Sequence, residues 1–128
     1  MGYTFHTRLD RDMDSAVEHV TDALKSKGFG ILTTIDVQAT MKAKLGVDTP
    51  AYRILGACNP SLAHQAMQAE PRIGAMLPCN VILRQLETGD IEVAAVDPVA
   101  SMQAIENPQL GHVALQVQQL LKQVIEGL

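Results

Sequence analysis

The sequence predicts an α+β domain of two layers, a largely antiparallel sheet with helices packed on one face, and three observations lead there. Strand-like and helix-like stretches follow in the order β-α-β-α-β-α-β-β-α-α, which sets two strands side by side late in the chain. Those two are joined by Thr88-Gly89-Asp90, a link short enough to make a hairpin and hence an antiparallel pair. No Gly-rich phosphate loop follows any strand, which leaves a small doubly wound fold as the weaker alternative. At 128 residues the chain has the length of a single domain, residues 1–128.

Residues 3–9 alternate Tyr3, Phe5, Thr7 and Leu9 against Thr4, His6 and Arg8, the two-residue period of a strand with one wet face. Asp12 stands ready to cap a helix whose apolar positions Met13, Ala16, Val17, Val20 and Leu24 recur at the helical period, and Gly28 ends it. Phe29 to Val37 alternates again, with Phe29, Ile31, Thr33, Ile35 and Val37 on one side. Asp36 then caps a short helix through Met41 and Leu45 to Gly46, and a loop over 46–50 ends at Pro50.

The third strand is Ala51 to Cys58. Asn59-Pro60 opens a helix as a capping side chain followed by Pro in the first turn; Leu62, Ala63, Ala66 and Met67 form its apolar stripe and Pro71 stops it. A loop containing Gly74 and Pro78 leads into strand four, Cys79 to Glu87, and the hairpin continues to strand five, Ile91 to Val96. Asp97-Pro98 and Asn107-Pro108 each open a further helix. The second is the strongest in the chain, because Leu110, Val113, Ala114, Val117, Leu120, Leu121 and Val124 make one continuous apolar face.

Strand parity assigns Tyr52, Ile54, Gly56 and Cys58, with Cys79, Val81 and Leu83, to the core side of the sheet. The opposite parity carries Arg8, Arg53 and Arg84 but also Leu55, Ile82 and Leu86, too apolar for an open surface, and this points to a homodimer contact.

Composition narrows the function. Apolar residues make up 47% and charged residues 19%, as in ordinary globular chains, but aromatic residues only 3% with no Trp. A net charge of −4 and few stacking side chains argue against nucleic acid. Neither a signal-peptide core nor a membrane-length apolar run is present. The expectation is a cytoplasmic protein, with no membrane partner, whose two cysteines stay reduced.

Those cysteines stand in near-mirrored turns, Cys58-Asn59-Pro60 and Pro78-Cys79-Asn80. The run Ile54-Leu55-Gly56-Ala57-Cys58-Asn59-Pro60, with Ala63 after it and Ile73-Gly74-Ala75-Met76-Leu77-Pro78-Cys79-Asn80-Val81 beyond, resembles the central signature of the domain-of-unknown-function family numbered 302. The first strand, the helix from Asp12 and Gly28-Phe29-Gly30 are similar to that family too. The resemblance implies a two-layer α+β domain of TATA-binding-protein-like topology, often dimeric, without an established activity to carry over. It directs attention to Cys58, Asn59, Pro60, Pro78, Cys79 and Asn80.

If strands three and four run antiparallel, the two thiols become neighbours. Cys58 itself lies just before a helix N-terminus, where the free amides are expected to lower its pKa and suit it to act as a nucleophile or soft-metal ligand. The leading expectation is a small dimeric module that binds a small ligand, haem or a soft metal beside Cys58 and Cys79. The alternative is a thiol-dependent redox or covalent-transfer enzyme, with Cys58 attacking and Cys79 resolving. The plain reading is two buried cysteines acting as small hydrophobes. His64 is the natural third metal ligand, yet it points about 150° from the centre of its helix's apolar stripe. No Cys-x-x-Cys or His-pair spacing supports zinc. Asp10, Asp12, Asp14 and Asp97 sit at helix starts, where capping and the helix dipole explain them without a catalytic role.

Overall fold

Five Asp or Asn side chains punctuate the chain in the computed structural model, which describes residues 2–128. The elements are β1 (Thr4–Leu9), α1 (Met13–Ser26), β2 (Gly30–Asp36), α2 (Val37–Leu45), β3 (Tyr52–Cys58), α3 (Pro60–Ala69), β4 (Cys79–Gln85), β5 (Ile91–Val96), α4 (Pro98–Ser101) and α5 (Pro108–Glu126). The stretch expected as a plain loop between α3 and β4 contains one 3-10 turn, Ile73–Met76.

Each expected cap is in place. Asp12 accepts from the Ser15 amide at 2.8 Å, Asp36 from Ala39 at 3.0 Å and Asn59 from Leu62 at 3.3 Å. Asp97 accepts from Val99 at 3.0 Å, and Asn107 from Gln109 at 3.1 Å and Leu110 at 3.3 Å. Such caps contribute about 1 kcal/mol each by satisfying amides that the helix leaves free. Asn107 does more, since its Nδ2 donates to the Ala69 carbonyl at 2.7 Å and ties the end of α3 to the start of α5.

The strands form one sheet in the order β1-β5-β4-β3-β2, with every neighbouring pair antiparallel. Because β1 and β2 are opposite edges, α1 has to cross the sheet to connect them, and it packs on β4 on the way. Beside it α5 packs on β1 and β5, while α3 and α4 pack against α5. The core lies between these layers: Val20 and Leu24 of α1 and Leu110 and Leu121 of α5 meet Leu55, Val81, Leu83, Val93 and Ala95 of the sheet. Among the described residues no helix is long and apolar enough to cross a membrane.

Register corrects the expected parity of β3. Leu55 pairs with Val81 and Ala57 with Cys79, so Leu55, Ala57, Cys79, Val81 and Leu83 face the helices. Tyr52, Ile54 and Gly56 therefore belong to the other side of the sheet, not to the core side, while Cys58 at the strand's end borders the helix side. Both parities of β3 are apolar, so alternation alone leaves its facing undecided. Arg53 likewise turns towards the helices, where it lies 3.6 Å from both Asp14 of α1 and Asp36.

Strand β2 departs from simple alternation for a different reason. A register shift between Ile31 and Thr33 makes a bulge, so Ile31 pairs with Ala57 on the helix side while Thr33 pairs with Gly56 on the open side. The open face then shows a single cross-strand row, Ile35, Ile54, Ile82, Ala94 and His6, beside a charged row of Arg84, Glu92 and Arg8. Arg84 donates through Nε to Glu92 at 2.7 Å.

Candidate functional site

Two turns at one end of the sheet, Cys58-Asn59-Pro60 and Pro78-Cys79-Asn80, come together because β3 and β4 are antiparallel neighbours. The last residues of one strand therefore lie beside the first of the other. A third chain segment joins them: Gly30 pairs with Cys58, and Gly28, at φ 86°, turns so that an added Cβ would lie 3.1 Å from Asn59 Nδ2. Gly28 suits the spot twice over, through its left-handed backbone and the space it leaves for the cap of α3.

Close approach also explains Gly56. A side chain there would run into Thr33 and lie 2.8 Å from Pro78 Cγ. The Pro78 ring thus closes over the open side of the sheet end, after a cis Leu77-Pro78 peptide.

On the helix side these turns border a cavity of about 30 Å³. Cys58, Asn59, Pro78 and Cys79 form its sheet-end wall. Ala63 and Ala66 of α3 and Val113, Ala114 and Val117 of α5 form the helical wall, and Pro98 with Met102 closes it near α4. The space exists because small residues face each other: Ala66 and Ala114 are buried where a larger side chain would fill it. The lining is nearly all hydrocarbon and sulfur, which keeps a cavity of this kind dry.

Both thiols are protonated at neutral pH. Burial pushes Cys79 up to about 11, with the nearby Cys58 adding to the effect. Burial also raises the half-exposed Cys58, which reverses the lowering expected from its place before α3. The physical reason is local. Cys58 precedes the cap, Pro60 has no N–H, and the Leu62 amide is already held by Asn59, so few free amides remain to favour a thiolate.

The other expected residues scatter. Asn80 turns to the open face, where it borders a depression of about 480 Å³ with Tyr3, Tyr52, Arg84 and Glu92. Pro60 is exposed at the first turn of α3 and borders neither hollow. His64 is exposed on α3, and among the described residues no three His, Cys, Asp or Glu side chains gather as a metal site. Both cysteines are free. The cavity's α5 wall was not anticipated as part of a site, although Ala63, Ala66 and Ala114 marked where two apolar helix faces would meet without filling the space.

Fold and site together define a small antiparallel α+β domain with a thiol-walled apolar cavity at one end of its sheet. The chain belongs to the family described as "Domain of unknown function DUF302", whose model matches residues 5–128. It is similar to a protein of Aquifex aeolicus described only as uncharacterized, with 25% identity over 107 residues, covering 81% of this chain and 68% of that one. The fold is that of a crystal structure of an uncharacterized conserved DUF302 protein from Bacillus stearothermophilus, at TM-score 0.90 and 23% identity over 98% of both chains.

Proposed function

We propose that this chain is a non-catalytic binding module that admits a small, uncharged apolar guest, or the tip of a longer one, to the cavity beside Cys58 and Cys79. One observation carries the reading: four of the six turn residues, Cys58, Asn59, Pro78 and Cys79, border the same hollow. Neutral thiols and aliphatic walls give a guest's charge no partner there.

Size limits the guest. Small-molecule sites usually span roughly 300–1,000 Å³, and a hollow of about 30 Å³ is far too small for haem. The thiols serve as polarizable walls in this reading, since sulfur packs well against apolar groups. A redox or covalent-transfer role for Cys58 and Cys79 is not favoured, because a thiol held above its ordinary pKa is mostly the unreactive protonated form.

Xenon-pressurised crystals test this directly. Xenon density is expected between Ala66, Ala114 and Cys79, and it should vanish in Ala66→Leu. An empty cavity under pressure in the unsubstituted chain would overturn the reading.

A further inference from the structure

The depression on the open face of the sheet holds about 480 Å³, within the roughly 300–1,000 Å³ of ordinary small-molecule sites. Cross-strand register gives it a floor and two ends. Ile82 and Ala94 pair at its middle, Arg84 and Glu92 pair at one end, and Asn80 and Val96 border the other. Ala94 is the short side chain between Glu92 and Val96 on the same face of β5, so the middle of the floor lies low.

Aromatic placement is the first sign of an occupant. The chain has two Phe and two Tyr; Phe29 belongs to the core and Phe5 packs against it, whereas Tyr3 and Tyr52 both border this depression. Tyr3 is 72% exposed, which leaves its ring open to stack on a flat guest. Charge is the second sign. Arg84 gives Glu92 its Nε at 2.7 Å, and among the described residues its two Nη groups have no hydrogen-bond partner. That outer edge of the guanidinium has the fork geometry that grips a carboxylate. Arg8 pairs with Glu92 from the other side, so the row carries two positive charges against one negative in a chain of net charge −4. One excess positive charge matches a monoanion, whereas a phosphate dianion would set its second charge against Glu92.

We infer that this depression binds a small, flat aromatic acid, with the carboxylate on the Nη edge of Arg84 and the ring over Ile82 and Ala94, reaching the tyrosines. From Arg84 to Asn80 is four residues of β4, about 13 Å at the usual strand rise, a length that suits an acid of one or two rings. At the far end Asn80 offers its amide to a substituent on that ring. The site lies across the sheet from the Cys58/Cys79 cavity and differs from it in kind, taking a charged guest where the cavity takes a neutral one.

Isothermal titration of the full chain with cinnamate tests the assignment, with cinnamamide as its uncharged copy. Saturable binding of cinnamate is expected, and the amide should bind on the order of tenfold more weakly because it gives the guanidinium no charge. Arg84→Gln should bring cinnamate down to the level of the amide and leave the amide unmoved. Ala94→Leu, which raises the floor, should abolish binding of both, each variant keeping the circular dichroism spectrum of the unsubstituted chain. A check without substitution is the map of amide shifts on adding cinnamate, expected at Asn80, Ile82, Arg84 and Ala94. Absence of saturable binding overturns the inference, as does binding that Arg84→Gln leaves unchanged. So do shifts confined to Ala63, Ala66 and Ala114 of the helix-side cavity, and so does a second copy covering the open face, seen as a dimer that Ile82→Lys dissociates. Xenon occupancy beside Cys58 and Cys79 is independent of each of these outcomes.

Discussion

Ala57 stands directly opposite Cys79 in the β3–β4 ladder. Cys58, the next residue along, is the last of its strand and pairs with Gly30 on the neighbouring one. The two thiols share one end of the fold, and both border the same cavity where the strands end, but they do not face each other as a cross-strand pair.

The raised pKa of Cys79 makes stability depend on alkaline pH. Below pH 9.0 the thiol is protonated in folded and unfolded chains alike, and its stabilising contribution is complete. Between 9.0 and about 11 the unfolded chain ionises this group while the folded chain does not, so stability falls as pH rises. The loss attributable to Cys79 over that window is on the order of 3 kcal/mol. Urea midpoints at pH 8 and pH 10.5, compared between the unsubstituted chain and Cys79→Ala, measure it; the substituted chain should show the flatter profile.

Gly56→Ala should destabilise the fold by about 1–3 kcal/mol, because the new methyl has no room between Thr33 and Pro78. Removing one neighbour should restore part of the loss. Thermal unfolding of Gly56→Ala alone and with Thr33→Ala checks this, with the double substitution expected to be the more stable of the two.

Asn59→Ala should cost about 1 kcal/mol through the lost cap on α3. Asn59→Asp keeps an accepting oxygen and should cost less. Since Asn59 also borders the cavity, xenon occupancy should fall in Asn59→Ala by more than in a cap substitution remote from it, such as Asp36→Ala.

The helix starts were legible because each depends on local chemistry: an Asp or Asn whose side chain reaches an amide two or three residues ahead. The hairpin of β4 and β5 was legible for the same reason, through Thr88-Gly89-Asp90. The facing of β3 was not, because Ile54 and Leu55 are equally apolar and only pairing with Val81 decides which one meets the helices. The bulge at Leu32 has no local sequence signal and appears only in the register with Ala57 and Gly56. For the candidate site, the two turns were visible as motifs. The cavity was not, since it is a gap between α3 and α5 made by alanines more than 40 residues apart in sequence.

Thiol chemistry also separates the two cysteines. Iodoacetamide at pH 7.5 should modify half-exposed Cys58 before buried Cys79, and both more slowly than an unstructured peptide thiol. Peptide mapping over time gives the two rates.

The most direct test of the thiols as separate walls is intact mass after treating the folded protein with diamide, then unfolding and alkylating it. Both thiols of the monomeric chain should take up the alkylating agent. An internal disulfide formed quickly and in high yield between Cys58 and Cys79 would contradict this account and restore a redox role.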